Sequence, residues 1–418
     1  MDKFVIQGGN PLKGEIAISG AKNAVLPIMA ATVIAPGEYR INNVPHLRDT
    51  NTMARLLEMT GAQVEFKNHC LLIDTHSCNK PIAPYELVKT MRASFYMLGP
   101  FLSRFSHAEV SLPGGCAWGP RPVDFHLKAV EKLGAEISLT KGMIIAKGKL
   151  VGNEINFPIS SVGATGNAMM AAVSAHGKTI IKNAAMEPDI VSLAEFLNKM
   201  GAEISGQGTS EIIINGGGKL EGNFEFTVIP DRIEAGTFLI AGSIIKSNIT
   251  LTHVNPGHLN FLISSLKAAG ALLDITNNSI NVKAPPKGIQ PIDVNTDIYP
   301  GFPTDLQAQW IALMSLANGE SLVRDDIYVD RFTHIAELSR FGAEIQLSKN
   351  QAKITGVKKL KGAPVMSTDI RASASLILAA LAAEGESHIS RIYHIDRGYE
   401  KIEEKLKSIG AVIDRKNE

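Results

Sequence analysis

Cys116 lies between two glycine-rich turns in SLPGGCAWGPRP, residues 111–122, with Arg121 five positions on. The thiolate is the reactive form of cysteine, and a neighbouring cation eases its formation. A thiol on a glycine-rich loop can enter a site and withdraw from it. The loop is also long: Val110 to Gly134 spans 24 positions, against 20 for the corresponding stretch from Ile41 to Gly61. Other polar residues recur where packing needs none. Lys22 with Asn23, Arg92, Thr165, Arg232, Asp305 and Arg371 open helical stretches rich in small residues. Arg48 with Asp49, Cys116 with Arg121, Glu187 with Asp189, His258, Arg331 and Arg397 fall in the loops before a second helix. A helix N-terminus already favours anions, so a cation there is unfavourable for the isolated helix. One such cation is a surface charge satisfied by water or a neighbouring carboxylate. Four at equivalent positions point to a shared anionic ligand.

The remaining reactive side chains read as bland. Cys70 and Cys78 lie on or beside a hairpin strand, as inert thiols would. AVSAHGKT has the outline of a phosphate loop, but Ala172 replaces its first glycine and a helix cap is the better reading. His126 and His394 read as packing or local hydrogen bonding. The 11 histidines are scattered, without paired Cys/His ligands, so no metal site is expected.

The elements that position these residues repeat six times. TGAQVEF, LGAEISL, MGAEISG, AGALLDI, FGAEIQL and IGAVIDR place glycines at 61, 134, 201, 270, 342 and 410, in steps of 73, 67, 69, 72 and 68 residues. Each glycine closes an amphipathic helical stretch, and a strand, a turn and a second strand follow. With the small-residue helix and its β-branched strand, the unit reads strand, helix, strand, helix, strand, strand. The sixth unit lacks its second hairpin strand. KFVIQGGNPLKGEIAIS, near the start, carries the same turn as INGGGKLEGNFEFTV and ITGVKKLKGAPVMST, and supplies the missing piece. Residues 21–229 are therefore expected as one three-unit domain, and 1–20 plus 230–418 as the other.

Composition bounds the function classes. The 418 residues carry 42 Lys+Arg against 41 Asp+Glu, and the net charge of +1 gives no electrostatic case for nucleic acid or an anionic membrane. Hydrophobic content of 45% supports large cores, and the length suggests roughly two or three domains. MDKFVIQGGN has no apolar run of the secretory type, and ASASLILAALAA is too short to span a bilayer. Three cysteines without metal spacing suit reduced thiols and a cytoplasmic location.

SGAKNA at 19–24, RAS at 92–94, LPGGCAWGPRPVD at 112–124, SVGAT at 161–165, GFPTD at 301–305, TDIRA at 368–372 and HIDRGYE at 394–400 together resemble the UDP-N-acetylglucosamine enolpyruvyl transferase family, over essentially the whole chain. The resemblance implies an α/β fold of two inside-out barrels, each of three βαβαββ units. It implies transfer of the enolpyruvyl group of phosphoenolpyruvate to the 3′-hydroxyl of UDP-N-acetylglucosamine, the first committed step of peptidoglycan synthesis, with no cofactor. By the same resemblance Asp305 is the base on the hydroxyl and Cys116 the proton donor. Lys22, Arg92, Arg121 and Arg397 surround the anions, and Asn23 orients the substrates. Arg121, Pro122, Val123, Asp124 and Phe125, with Ser161, Val162, Gly163 and Ile327, contact the nucleotide. Asp369 and Arg371 stand beside the reacting centre. Trp118 and Pro120 make the cysteine loop bulkier and stiffer than the usual version. Enolpyruvylshikimate-phosphate synthase shares the implied architecture, but SGAKNA and the cysteine loop argue against it. RNA 3′-phosphate cyclase has related units, and the near-neutral charge disfavours it. A non-catalytic paralogue that senses UDP-sugars is the reading from a different class.

The cysteine reading has a direct test. An anionic epoxide that mimics phosphoenolpyruvate, such as fosfomycin, is expected to alkylate Cys116, and faster with UDP-N-acetylglucosamine bound. Cys116→Asp is expected to keep some activity and resist the epoxide, since a carboxylic acid donates a proton but is a poorer nucleophile. Cys116→Ser is expected to lose most activity. Peptide mapping locates the added mass, and modification of Cys70 or Cys78 with Cys116 untouched would refute the assignment.

Overall fold

The computed structural model describes residues 2–89, 91–112, 123–244 and 247–417, which form two compact units, Gly20–Ile229 and Met1–Ser19 with Pro230–Glu418. Each unit has its own apolar core. Each contains three four-stranded sheets built to one plan. In the sheet holding Glu38–Asn42, that strand runs parallel to Phe224–Thr227 on one side and antiparallel to Cys70–Asp74 on the other. Gln63–Lys67 then completes a hairpin with Cys70–Asp74. The βαβαββ unit is therefore real, and it occurs three times in each of the two units.

The repeated Gly-Ala pairs do the same local work each time. Gly61, Gly134, Gly201, Gly270, Gly342 and Gly410 all take left-handed backbone, with φ of 106, 97, 108, 94, 89 and 99°. In each case the following alanine N–H reaches back five residues, as from Ala62 to Leu57 O at 3.2 Å and from Ala411 to Leu406 O at 3.0 Å. This is the glycine-closed helix end that satisfies otherwise orphaned carbonyls and turns the chain into the next strand.

Two kinds of helix follow from two patterns. Arg48–Thr60 is polar on one face and buries Met53, Leu56 and Leu57 on the other. Arg232–Ile244, Gln307–Met314 and Ile370–Ala382 are buried along nearly their whole length and pack on one another in pairs. A helix that is apolar or small on all sides belongs inside. Trp310 is wholly enclosed there, and a large apolar side chain so buried contributes about 2–3 kcal/mol.

The N-terminal segment is woven into the unit that holds residues 230–418. Asp2–Gln7 lies antiparallel between Glu386–Ser390 and Val412–Asn417, with Phe4 opposite Ile389 and Arg415. Lys13–Ala17 runs parallel to Asn248–Thr252. A buried ion pair fastens the end of this segment. Glu234 accepts the Ser19 N–H at 2.7 Å and the Lys405 Nζ at 2.7 Å, and Lys405 also donates to Ser19 Oγ at 2.7 Å. Burial pushes the Glu234 carboxyl above its ordinary range, and the Lys405 charge opposes that shift. Among the described residues, no helix is long and apolar enough to cross a membrane.

Deleting residues 1–10 removes a strand bonded on both sides, so its neighbours lose backbone partners. Hydrogen-exchange protection is expected to fall across residues 230–417 and to persist across 20–229. Equal loss in both regions would contradict the structural role given to the segment.

Candidate active site

In the unit Gly20–Ile229 the candidate residues cluster at helix starts. Lys22 is the first residue of helix Lys22–Ala31, with Asn23 beside it. The Lys22 ammonium lies 3.6 Å from Asp49 Oδ2, a carboxylate that is itself buried. Arg92 opens the 3-10 turn Arg92–Met97. Ser161 caps helix Val162–Ala172, its Oγ accepting the Ala164 N–H at 3.3 Å. Val123 is buried ahead of helix Asp124–Lys132, which Asp124 opens, and the Phe125 ring stands 6.4 Å from that of Phe157. Thr165 is fully enclosed, and its Oγ1 accepts the Ala185 N–H at 3.1 Å. Cys116, Arg121 and Pro122 lie outside the described residues.

His126 has a more defined state than its sequence context offered. Asn167 Oδ1 accepts the Gly99 N–H at 2.9 Å, and its Nδ2 donates to Phe95 O at 3.0 Å. The second Nδ2 hydrogen therefore points at His126 Nδ1, 2.7 Å away, which acts as acceptor. The ring proton then resides on Nε2. Burial, with Arg92 adding to it, pushes the imidazole down to about 3, so it is neutral across the physiological range. Its Nε2 side faces Gly163, where an added Cβ would come within 3.1 Å of the ring. Glycine is what lets the 161–163 turn lie so close to an imidazole N–H.

In the unit Met1–Ser19 with Pro230–Glu418, Asp305 sits in the 3-10 turn Thr304–Leu306. Its carboxylate is held on both oxygens: Arg331 Nη1 is 2.9 Å from Oδ1, and Arg371 Nη2 is 2.8 Å from Oδ2. Asp305 keeps 24% of its side-chain exposure while Arg371 keeps 7%, so the carboxylate stays reachable and the cation does not. Burial works against the Arg371 charge, but Asp305, with Tyr399 and Asp231 adding to it, leaves the guanidinium above its ordinary range. Asp369 caps helix Ile370–Ala382, accepting the Arg371 and Ala372 N–H groups at 2.7 and 3.2 Å. Ile327 is 38% exposed. Arg397 ends the 3-10 turn Ile392–Arg397, and Asp396 beside it binds Arg415 through two hydrogen bonds of 3.1 and 2.6 Å. Arg415 also reaches Glu403 at 2.7 Å and lies over the Phe4 ring, so the turn is tied to the N-terminal strand.

A buried polar group beneath Asp305 went unread in the sequence. Gln309 Nε2 donates to Asp305 O at 3.1 Å and to Thr237 Oγ1 at 3.1 Å, and Thr237 Oγ1 is 2.8 Å from the Tyr399 hydroxyl. Arg371 Nη1 donates to that hydroxyl at 3.4 Å. The one available signal was the pair Gln307 and Gln309, polar in an otherwise apolar helix. Among the described residues, no group of three or more His, Cys, Asp and Glu could hold a metal ion. Cys78 is buried with its sulfur 3.2 Å from Thr60 Oγ1, and burial pushes its thiol upward, as suits a packing residue.

The sequence matches the EPSP synthase (3-phosphoshikimate 1-carboxyvinyltransferase) family over residues 6–406. It is 52% identical to the UDP-N-acetylglucosamine 1-carboxyvinyltransferase of Chlorobium chlorochromatii (strain CaD3), covering 99% of each chain. It is 51% identical to the protein of the same name from Geotalea daltonii (strain DSM 22248 / JCM 15807 / FRC-32), covering 100% of each. Among solved structures it is similar to the enolpyruvyl transferase NikO from Streptomyces tendae, with a TM-score of 0.89 and 24% identity over 99% of this chain and 98% of that one. It is also similar to EPSP synthase from Acinetobacter baumannii, with a TM-score of 0.76 and 20% identity over 100% of both chains.

The clamp on Asp305 has an energetic consequence. Asp305→Ala leaves the Arg371 guanidinium buried without its carboxylate and is expected to lower stability by about 3 kcal/mol. Adding Arg371→Met is expected to recover part of that loss, because the unpaired charge goes too. Denaturant unfolding of the two single variants and the double variant measures the coupling; additive losses would show that the pair is not coupled.

Proposed function

The chain belongs to the EPSP synthase family and, within it, to the UDP-N-acetylglucosamine 1-carboxyvinyltransferases; from that membership we propose that it transfers the enolpyruvyl group of phosphoenolpyruvate to the 3′-hydroxyl of UDP-N-acetylglucosamine, releasing phosphate. The observation that carries this reading is 52% identity over 99% of both chains to a protein of that name. The reaction opens peptidoglycan synthesis and takes place in the cytoplasm.

The chemistry assigns work to each candidate. The sugar oxygen replaces phosphate oxygen on C2 of phosphoenolpyruvate, and the C2–C3 double bond is present before and after. Addition followed by elimination satisfies both conditions. In the addition, the hydroxyl gives its proton to Asp305 while its oxygen bonds C2, and Cys116 gives a proton to C3. In the elimination, a C3 proton leaves and the C2–O bond to phosphate breaks. With each Asp305 oxygen engaged by a guanidinium at 2.8–2.9 Å, its remaining lone pairs have a fixed direction in which to meet the hydroxyl. Lys22, Arg92, Arg121 and Arg397 balance the carboxylate and phosphate charges, which grow more concentrated in the transition state. Asn23 orients the substrates. Val123, Asp124 and Phe125, with Arg121 and Pro122, take the nucleotide together with Ser161, Val162, Gly163 and Ile327.

Phosphate release, measured with UDP-N-acetylglucosamine or shikimate 3-phosphate as acceptor, tests the proposal. Turnover is expected with the nucleotide sugar alone; turnover only with shikimate 3-phosphate, or with neither, would refute it. Asp305→Asn is expected to bind the nucleotide sugar and to turn over about 10²–10⁴-fold more slowly, as for a lost base. Near-normal turnover would reduce Asp305 to a binding residue.

A further inference from the structure

Strand Glu320–Asp325 alternates exposed and buried residues, and its buried positions are Ser321, Val323 and Asp325. The third is anomalous: a carboxylate, fully enclosed, where packing calls for an apolar side chain. In four other repeat units the residue at the matching place, Asn43, Asn183, His253 or Arg391, turns left-handed, with φ of 57, 52, 53 and 57°. Asp325 remains in its strand and collects the hydrogen bonds of the turn on its side chain. Its Oδ1 accepts from Thr296 Oγ1 at 2.7 Å, from the Ile327 N–H at 3.0 Å and from the Tyr328 N–H at 2.8 Å. Its Oδ2 accepts from Thr304 Oγ1 at 2.7 Å. Asn350 fixes the backbone, accepting the Asp325 N–H at 2.9 Å and donating to Asp325 O at 3.1 Å.

Both ends of this arrangement arrive at the site. Thr304 opens the turn that carries Asp305. Having given its hydrogen to Asp325, the Thr304 hydroxyl presents a lone pair to Arg331 Nη1 at 3.3 Å, and that same nitrogen lies 2.9 Å from Asp305 Oδ1. On the other side, the two amide bonds to Oδ1 set the turn from which Ile327 projects, 38% exposed. Four neutral donors converge on one side chain, and only an ionised carboxylate accepts at every position without bringing a hydrogen of its own. An amide there would set an NH2 against the Thr304 hydroxyl and leave one hydrogen without an acceptor.

We propose that Asp325 is a positioning residue for the acceptor substrate, one buried carboxylate that fixes the direction of Asp305 through Thr304 and Arg331 and, independently, the turn bearing Ile327. This rests on the reading of Asp305 as the base and Ile327 as a nucleotide contact. It makes the position of the base and the position of the nucleotide properties of a single group.

The test uses the full chain, with steady-state phosphate release and separate calorimetric binding of UDP-N-acetylglucosamine. Thr304→Val cuts the relay and leaves the Oδ1 contacts in place. It is expected to lower kcat about 10- to 100-fold, the scale of a misplaced reacting group, with Kd for the nucleotide sugar nearly unchanged. Thr304→Ser restores the hydroxyl and is expected to recover most of the loss. Asp325→Asn is expected to follow Thr304→Val, its amide oxygen keeping the Ile327 and Tyr328 contacts. Wild-type kcat in Thr304→Val, or Thr304→Ser as slow as Thr304→Val, overturns the positioning role while leaving the proposed function standing. Absence of phosphate release from the unsubstituted chain overturns both.

Discussion

Three helices that water does not reach set the terms for the unit of residues 230–418. Arg232–Ile244, Gln307–Met314 and Ile370–Ala382 pack on one another, enclosed along nearly every residue. A helix in that position can hold a polar side chain only at an end or against another polar group. Thr237, Gln309 and Tyr399 take the second option, meeting one another in the middle. Arg371 and Asp305 take the first, at the ends, and the inner group touches both of them. One of the two guanidiniums that hold the Asp305 carboxylate, that of Arg371, is therefore placed by how the core is packed.

The cations at helix starts follow from the same constraint. A cation so placed opposes the helix dipole, and two of them have a carboxylate to offset that cost. Arg371 has Asp305, and Lys22 has Asp49 at 3.6 Å. The two pairs differ in tightness. Hydrogen-bond contact at 2.8 Å makes the first the tighter unit of structure.

The fold was legible because its punctuation is chemical. Only glycine takes a φ near 100° without strain, so six Gly-Ala pairs at a near-constant period mark six helix ends whatever the intervening residues are. The short turn shared by PLKG, KLEG and KLKG likewise marked the N-terminal segment as the missing piece of the sixth unit, and Asp2–Gln7 lies beside Val412–Asn417. The candidate site was legible in part. Asp305, Arg331 and Arg371 announce themselves as charges at helix starts and in the loops between. Asp325, Gln309 and Tyr399 do not, because a polar residue in a strand or helix shows its purpose only once its neighbours from distant segments are known. Asp325 meets Thr304 across 21 residues and Gln309 meets Tyr399 across 90. His126 was read as a packing residue, and it is one; its tautomer is decided by Asn167, 41 residues away.

The woven N-terminal strand makes the two units unequal during synthesis. Gly20–Ile229 is continuous in the chain, so every partner it needs has left the ribosome by the time residue 229 appears. The other unit waits much longer. Asp2–Gln7 is made long before either of its neighbours, Glu386–Ser390 and Val412–Asn417, and Asp2 meets Arg415 across 413 residues. A β-branched and aromatic segment with two unfilled hydrogen-bonding edges must stay unpaired while the rest of the polypeptide is translated, and such edges invite pairing with other chains. At 5–20 residues per second this interval lasts roughly 20–80 s. The strand carries two charges of its own, Asp2 and Lys3, and charged side chains on an open strand edge disfavour such pairing.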